Sequence, residues 1–522
     1  MGVTIQVILY SFAILSRVLD LMTATKAQRW SLLLTVAAGL LLITLDNSVL
    51  YTALPTLTAE LGASPRQGLW IINAYPLVMA GLLLGSGTLG DRIGHRRMFL
   101  TGLVIFGVAS LLAAFSPGAN ALIAARALLA VGAAAMMPAT LALISLTFED
   151  ERERNLAIAV WGCISIVGAA LGPIIGGLLL AHFWWGSVFL INVPIVLLAI
   201  VGALWFAPHG QPDPGKPWDL LSSLICLVAL SGLVVAIKEV AHAPPNWLLA
   251  ASAAGVSAVA LVLFLRRQRR LPYPMLDVAI FRNAPFLAGV LSAAFAMFAI
   301  AGLQLLTTQR FQLVAGYTPL EAGLLVSAVA LGCLPSTIFG GAFLHRVGLL
   351  PLITGGLGVG TAGVVLVAAT FGTGLGWTIA GLLLTGLGMG ATISVASSAI
   401  IGNVPQHRAG MASSVEEVSY EFGSLFAVSL LGSLVAALYS ATVRLPAGLE
   451  TGAGESIQQA LALAGQAGSA PAWLTQATAA YDASYVWVLY VIAAALLLGT
   501  VVTGVLLRRH GPGTATIVAT SH

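Results

Sequence analysis

The stretch Gly87-Thr-Leu-Gly-Asp-Arg-Ile-Gly-His-Arg-Arg97 joins two long apolar runs of the sequence. A similar stretch, Phe339-Gly-Gly-Ala-Phe-Leu-His-Arg-Val-Gly348, ends another apolar run in the second part of the chain. The polar segments before these runs also match, since one reads Gly62-Ala-Ser-Pro65 and the other Gly316-Tyr-Thr-Pro319. This repeated order predicts two parallel halves, a pattern typical of secondary transporters whose substrate site lies between the halves.

The composition restricts the class of protein. Of the 522 residues, 59% are hydrophobic and 8% are charged. A soluble domain carries about 25% charged residues, so a water-soluble surface of this size cannot be assembled from so few charges. Soluble enzymes, nucleic-acid-binding domains and disordered proteins are therefore excluded, and a polytopic helical membrane protein remains.

From Trp30 onward, apolar runs of about 20 residues alternate with short polar segments, and a run of that length spans the hydrocarbon core as a helix. The sequence therefore predicts an all-α membrane protein with 14 transmembrane helices. The predicted spans are 30–54, 69–90, 98–116, 121–147, 156–180, 186–206, 218–238, 246–265, 286–308, 319–343, 350–371, 376–400, 410–440 and 484–507.

The repeat assigns six spans to each half and leaves two between them, an arrangement of 6+2+6. A long outer loop at 441–483 precedes the last span, and Ile457-Gln-Gln-Ala-Leu-Ala-Leu-Ala464 within it is predicted to form a short amphipathic helix. The predicted organisation is a cytoplasmic or interfacial segment (1–29), an N-terminal half (30–206), a two-helix insert with its linkers (207–285), a C-terminal half (286–507) and a cytoplasmic tail (508–522).

The distribution of lysine and arginine predicts the orientation. Most of these residues fall in the segments on the side that contains both termini. The opposite side is predicted to contain Arg66, Lys238, Arg310 and Arg444. Because positive residues concentrate in cytoplasmic loops, both termini are predicted to be cytoplasmic.

The connection between spans 2 and 3 is a candidate conformational latch. Its glycines allow close helix contact, and Asp91 can pair with an arginine or with the N-terminus of a neighbouring helix. The alternative is a tight loop whose basic residues only fix the topology. The candidate latch residues are Gly87, Gly90, Asp91, Arg92, Gly94, Arg96 and Arg97.

Span 5 contains Gly168-Ala-Ala-Leu-Gly-Pro-Ile-Ile-Gly-Gly177. Glycines four residues apart form a smooth face for helix packing, and a proline inside the helix bends it. Glycine faces alone are common packing devices, but the proline within the doubled pattern is more specific. The candidate conformational residues here are Gly168, Gly172, Pro173, Gly176 and Gly177.

Charged residues inside the predicted spans are few, and each is a candidate functional residue because a charge in hydrocarbon is costly. Asp46 lies in span 1 and Arg126 in span 4, whereas Glu416, Glu417 and Glu421 lie in span 13. A buried carboxyl group takes up and releases protons as its exposure changes, and it also attracts organic cations. These acids are therefore candidates for proton coupling and substrate binding.

The three glutamates differ in predicted depth. Glu421 lies roughly 15 Å from the cytoplasmic end of span 13, close to the midplane. Glu417 shares its face because the two are four residues apart. Glu416 is shallower, and for it a structural role is as well supported as a functional one. Tyr51, Asn73 and Tyr420 are candidate residues of a substrate cavity, and aromatic rings there would stack on flat cations.

Catalytic and metal-binding patterns are absent from the sequence. The cysteines Cys163, Cys226 and Cys333 lie singly in apolar stretches and read as packing residues. No zincin, nucleophile-elbow or phosphate-binding-loop pattern occurs. We therefore predict a protein that is not an enzyme and that has no metal, no cofactor and no ATPase subunit.

Four stretches resemble motifs of the major facilitator superfamily, and more narrowly of its fourteen-span drug/proton antiporters. They are the loop containing Asp91 to Gly94, Leu122 to Gly132 with Arg126, Gly168 to Gly177, and Leu45 to Pro55. Within that family the chain is most similar to pumps for methyl viologen and quaternary ammonium compounds. It differs at Asn73, where these relatives carry an acid.

The resemblance implies a major facilitator fold in a bacterial inner membrane. It also implies a pump that expels lipophilic organic cations, driven by inward proton flow, whose partners are those cations, protons and the lipid bilayer. Only the antiporter motif of span 5 indicates the direction of transport. A proton-coupled importer of a small nutrient on the same fold is therefore the alternative, and assays with candidate substrates would distinguish the two.

Overall fold

Almost all of the chain is helical in the computed structural model, which describes residues 25–148, 150–208, 218–240, 246–271, 274–404, 409–445, 453–466 and 472–509. Within these ranges, helices alternate with short connections and no strand occurs. The terminal segments 1–24 and 510–522 and the linker 209–217 lie outside the described residues, as do parts of the outer loop. The predicted domain boundaries therefore stay predictions.

Thirteen helices of the described residues are long and apolar enough to cross a membrane. The helix α2 adds a fourteenth if its two parts, which are bent by 57° near Leu84, form one span. The all-α membrane fold is thus confirmed. The helices are α1 (Lys26–Glu60), α2 (Pro65–Ile93), α3 (His95–Ala114), α4 (Ala119–Thr147), α5 (Glu151–His182), α6 (Ser187–Phe206), α7 (Leu220–Val240), α8 (Trp247–Gln268), α9 (Ala284–Leu313), α10 (Pro319–Val347), α11 (Leu349–Ala369), α12 (Leu375–Ile401), α13 (Ala409–Thr442) and α14 (Ala472–Leu507).

The second helices of the two halves have the same local structure. Ser64 caps α2 and Thr318 caps α10, each in a reciprocal capping box followed by a proline in the first turn. The two helices end at Gly94 and Gly348, which have φ values of 97° and 87°. Glycine is favoured there because other residues rarely adopt positive φ. The repeat in the sequence thus corresponds to a repeat in structure.

The packing order of the helices also repeats. In the first half α1 packs on α5, and α4 packs on both α2 and α3. In the second half α9 packs on α13, and α12 packs on both α10 and α11. The halves meet where α5 contacts α10 and where α2 contacts α13, and these two seams are equivalent under the same correspondence. The fold therefore has two similar bundles joined along two similar seams.

The inserted helices α7 and α8 pack on each other, and α7 also contacts α2. Apolar side chains from α2, α7 and α13 form one buried cluster there, which contains Leu77, Leu230, Val234 and Leu425. The insert therefore lies beside the α2–α13 seam. Its outer surface is strongly apolar, as expected for a helix pair that faces lipid, with exposed leucines and valines on both helices.

Two sequence predictions need correction, and one further feature was not predicted. Lys238 does not lie in an outer loop; it is buried within α7, and its Nζ lies 4.1 Å from the centre of the Trp70 ring. The helix α14 begins at Ala472, well before the predicted start at 484, because the alanine-rich segment before Ser484 also favours helix. The predicted span 13 contains a π-helical turn at Ala427–Leu431.

The predicted helix of the outer loop is confirmed. It spans Ile457–Gln466, and its buried residues Ile457, Ala460 and Ala464 share one face. This loop helix is held to the second half, where the Tyr439 hydroxyl donates a hydrogen bond of 2.8 Å to the carbonyl of Ala453.

Candidate functional site

A buried ion pair joins the first and fourth helices. Asp46 on α1 is 2% exposed and Arg126 on α4 is fully buried. The Arg126 Nη1 donates to Asp46 Oδ2, and its Nε donates to the carbonyl of Ile71 on α2 at 3.3 Å. Burying either charge alone would be costly, so each partner compensates the other. The sequence identified both residues but did not pair them.

Two further side chains complete this site. The Asn192 Nδ2 on α6 donates to Asp46 Oδ1 at 3.0 Å and approaches the Ser110 Oγ at 3.3 Å. The Arg126 Cζ lies 4.6 Å from the centre of the Tyr75 ring, a cation–π contact. Both carboxylate oxygens of Asp46 therefore have a partner. Sequence reasoning missed Asn192 and Tyr75 as site residues.

The same site contains unused hydrogen-bonding capacity. Within the described residues, three of its buried atoms have no hydrogen-bond partner: Arg126 Nη2, the Tyr75 hydroxyl and Asn192 Oδ1. Buried polar groups are normally satisfied, so such a concentration calls for an explanation. These unused donors and acceptors would allow the side chains of the site to exchange hydrogen-bond partners during function.

The acids of α13 have different surroundings. Glu416 is only 7% exposed, and the Tyr420 hydroxyl donates to its Oε1 at 2.8 Å. Glu417 and Glu421 are half-buried. Although Glu416 is predicted to be the shallower acid, it is the most buried of the three, because position along a helix does not determine which side of it faces the protein interior.

Glu421 lies near the ion pair of the first half. Its carboxylate interacts electrostatically with Arg126, and it also acts on Tyr51 and Tyr75. Its Oε2 is buried without a hydrogen-bond partner among the described residues. The structure therefore brings the intramembrane acids of both halves into the field of one arginine.

Tyr51 and Asn73 lie in contacts between the halves. The Tyr51 hydroxyl and Ser424 Oγ are 3.0 Å apart, and the Asn73 Nδ2 donates to Ser429 Oγ at 2.9 Å. Both side chains are buried, so in this conformation they join α1 and α2 to α13. Ser429 belongs to the π-helical turn, and such turns are frequent at functional sites.

A cleft with about 550 Å³ of empty space lies elsewhere, near the ends of α1 and α2 that adjoin the loop helix. Leu54 and Leu69 of the first half line it together with Gly432 and Tyr439 of the second, and Ile457 of the loop helix adjoins it. None of the candidate site residues from the sequence lines this cleft.

The glycines of α5 contact both halves. An added Cβ on Gly168 would overlap the Thr44 hydroxyl, and one on Gly172 would overlap that of Ser48, both on α1. Gly177 faces the backbone of Leu320 on α10 instead. Gly176 abuts Val49 of α1, and Pro173 presents its carbonyl to Gly323 of α10. The helix α5 is therefore packed closely between the two halves.

The candidate latch lies where α2 meets α3. The Asp91 Oδ1 and the His95 Nε2 lie 3.1 Å apart, and the Arg96 Nη2 donates to the carbonyl of Leu204 on α6 at 2.6 Å. Gly87 adjoins Ser414 of α13, and an added Cβ at Gly90 would press on the His95 ring. Arg92 and Arg97 are exposed, and Gly94 provides the positive-φ turn between the helices.

Two similar helical bundles, with a buried ion pair in the first and intramembrane acids in the second, define a secondary transporter of the membrane. The sequence pattern of the Major Facilitator Superfamily matches residues 36–428. The chain belongs to this superfamily, and the protein is a transporter and not an enzyme.

Two curated relatives are 38% identical to the chain. One is the methyl viologen resistance protein SmvA of Salmonella typhimurium, matched over 424 residues that cover 81% of this chain and 86% of that protein. The other is the multidrug efflux pump LfrA of Mycolicibacterium smegmatis, matched over 501 residues that cover 93% of this chain and 98% of that pump.

A solved structure supports the fold. A bacterial homologue of the human lysosomal transporter Spinster, in an inward-facing and unoccupied conformation, superposes with a TM-score of 0.65 and 16% identity. The superposition covers 93% of this chain and 99% of that one. At this identity the likeness bears on the fold alone.

Proposed function

We propose that the protein is a proton-coupled multidrug efflux antiporter that exports lipophilic organic cations by alternating access. It works in a bacterial inner membrane with both termini in the cytoplasm. Its substrates are quaternary ammonium compounds, dyes and related biocides. The names of the relatives support the drug-efflux part of this proposal, since one refers to methyl viologen, an organic cation, and the other to multidrug efflux.

The observation that carries the proposal is the unpartnered oxygen of Glu421. A carboxylate inside a membrane protein needs a proton, a cation or a hydrogen-bond donor. In the described residues Glu421 Oε2 has no protein donor, so this oxygen is available to a proton or a substrate cation. If Glu421 binds either a proton or a substrate cation, but not both at once, this is the simplest basis for exchanging protons for substrate.

Arg126 links this acid to the first half. Its guanidinium is paired with Asp46 and interacts electrostatically with Glu421. A proton taken up by either acid removes one of the two negative charges near Arg126, so the other acid becomes the remaining charged partner of the guanidinium. Proton uptake in one half thereby alters the contact between halves, which is what alternating access requires.

The aromatic side chains near Glu421 favour a cationic substrate. Tyr51 lies on α1 within the field of Glu421, and Tyr420 precedes Glu421 on α13. An aromatic face beside a carboxylate binds organic cations by combining cation–π attraction with charge. The surroundings of Glu421 therefore suit a flat or quaternary cation better than an anion.

Efflux of a fluorescent cationic dye from a pump-deficient bacterial host tests the proposal. We expect cells that express the protein to expel ethidium and to tolerate more methyl viologen and benzalkonium, and we expect an uncoupler to abolish the efflux. Efflux that persists in the uncoupled cells would exclude proton coupling. Dye accumulation above that of empty-vector cells would favour the importer.

A further inference from the structure

The Asn192 amide lies in an informative position, because it contacts Asp46, the acid of the buried ion pair. Its Nδ2 donates to Asp46 Oδ1 at 3.0 Å and reaches Ser110 Oγ at 3.3 Å. Its own Oδ1 is buried without a partner among the described residues. Asn192 and Ser110 are both fully buried, so water does not compete for these contacts.

An amide side chain has a donor end and an acceptor end of nearly the same shape. In the orientation observed, the donor end serves the ionised carboxylate of Asp46. If Asp46 takes up a proton on Oδ1, that oxygen becomes a donor and the amide can turn by half a rotation to present its own oxygen. The Ser110 hydroxyl accepts in the first arrangement and donates in the second, so it suits both.

We propose that Asn192 is a positioning residue that keeps Asp46 hydrogen-bonded in both its ionised and its protonated form. This inference rests on the proposed proton coupling and assigns to α6 a part in it. The amide turns as the proton arrives, so Asp46 keeps its place while Arg126, no longer paired with a charged Asp46, is left with Glu421 as its charged neighbour. The unpartnered Oδ1 in the present arrangement is the acceptor that the protonated arrangement uses.

Charged and polar groups other than Asn192 also lie near Asp46. Arg126 of α4 is its counter-ion, and Tyr75 of α2 and Glu421 of α13 lie within electrostatic range of the same pair. The part of α5 that packs on α1 near Asp46 presents glycine faces to Thr44 and Ser48. Only Asn192 supplies a second hydrogen bond to the Asp46 carboxylate among the contacts described.

The test is the pH dependence of dye efflux in proteoliposomes, measured at a fixed pH gradient over a series of absolute pH values. Asn192→Leu removes the amide and keeps the branched shape of the side chain. A hydrogen bond to a charged group stabilises more than one to a neutral group, so its loss favours protonated Asp46. We expect the alkaline midpoint of efflux to move to higher pH by about one unit.

Asn73→Leu is the matched control, because Asn73 is equally buried but donates to Ser429 and not to an acid. We expect it to change the rate of efflux and leave the midpoint in place. Asn192→Ala is the second variant, used if the leucine variant fails to reach the membrane, and its midpoint should move in the same direction.

The outcomes separate this inference from the proposed function. An unchanged midpoint in Asn192→Leu or Asn192→Ala, or an equal shift in Asn73→Leu, would overturn the role of Asn192 while gradient-driven efflux by the natural protein stood. Wild-type efflux without any response to the pH gradient would overturn proton coupling, and the role of Asn192 with it.

Discussion

The intramembrane carboxylates of the two halves differ in their hydrogen-bond partners. In the first half, Asp46 has a partner on each oxygen, Arg126 on one and Asn192 on the other. In the second half, Glu421 keeps a buried oxygen without a hydrogen-bond partner among the described residues. The comparison shows that both Asp46 oxygens are hydrogen-bonded within the first half in this conformation, whereas Glu421 has an oxygen left for a substrate cation or a proton.

The two seams between the halves also differ in the kind of contact that joins them. Along α5 and α10, glycines bring backbones together, as where Gly177 faces Leu320. Along α2 and α13, a hydrogen bond links Asn73 to Ser429 in a π-helical turn. At a seam lined by glycines the helices can slide past each other, because few side chains interlock. At a polar seam the helices are joined by hydrogen bonds that are either formed or broken. The α2–α13 seam lies beside the acids, so we expect it to transmit their protonation.

The largest effect is expected from Asp46→Asn. Neutralising one member of a buried ion pair leaves Arg126 uncompensated and costs about 3–5 kcal/mol in comparable pairs, although the asparagine oxygen can still accept one hydrogen bond. We expect dye efflux to be abolished while protein remains in the membrane, as measured by ethidium efflux and quantified membrane fractions.

Asp482→Asn is the matched control for this substitution. Asp482 pairs with Arg310 at 2.9 Å, but both side chains are partly exposed, and exposed pairs contribute little. Its efflux should be close to normal. Normal efflux in Asp46→Asn itself would show that the buried acid is not essential.

The next effect concerns the pH response. Glu421→Gln should flatten the dependence of efflux on the pH gradient, because the variant lacks the acid proposed to exchange a proton for substrate. Glu416→Gln should mainly change the affinity for cations, because Glu416 is already hydrogen-bonded by Tyr420. Both are measured as dye efflux in proteoliposomes over imposed gradients. A full gradient response in Glu421→Gln, together with its loss in Glu416→Gln, would transfer the coupling role to Glu416.

The fold could be predicted from the sequence because its signals are local. Each membrane helix is a continuous apolar run, and the repeated glycine and proline positions appear again as matching helix caps in α2 and α10. The helix ends were less well predicted, as in α14, since alanine-rich segments form helix beyond the apolar run. The π-helical turn of α13 leaves no mark in the apolar pattern.

The site was predicted only in part, for a physical reason. Asp46, Arg126 and Glu421 stand out as rare charges in apolar spans, but 80 residues separate the partners of the ion pair. The rule that buried charges are paired could have joined Asp46 to Arg126. No such rule points to Asn192, which is 146 residues from Asp46 and is uncharged.

A smaller effect is expected at the latch. Asp91 pairs with His95 at the junction of α2 and α3, away from Asp46 and Glu421 along the helices. Asp91→Asn should weaken efflux of every substrate alike, by about fivefold if one partly exposed hydrogen bond of roughly 1 kcal/mol is lost. Susceptibility to several unrelated cations measures this. Loss of one substrate class with retention of the others would instead assign Asp91 to substrate binding.

The last expected effect concerns stability and lies in the glycine contact of α5. Gly172→Ala places a methyl group against Ser48, and overpacking of this kind lowers the free energy of unfolding by about 1–3 kcal/mol. Gly162→Ala on the same helix meets open space and is the control. We expect the thermal unfolding midpoint of the purified protein to fall for the first variant and not for the second. Equal midpoints would indicate that α1 and α5 separate readily.

Proton release on dye binding tests the central claim most directly, namely that a proton and a cation compete for Glu421. Purified protein in weakly buffered detergent solution is titrated with ethidium while a pH indicator records the protons released. We predict release from the natural protein and from Glu416→Gln, and markedly less from Glu421→Gln at equal dye occupancy. The same release from Glu421→Gln as from the natural protein would contradict the account.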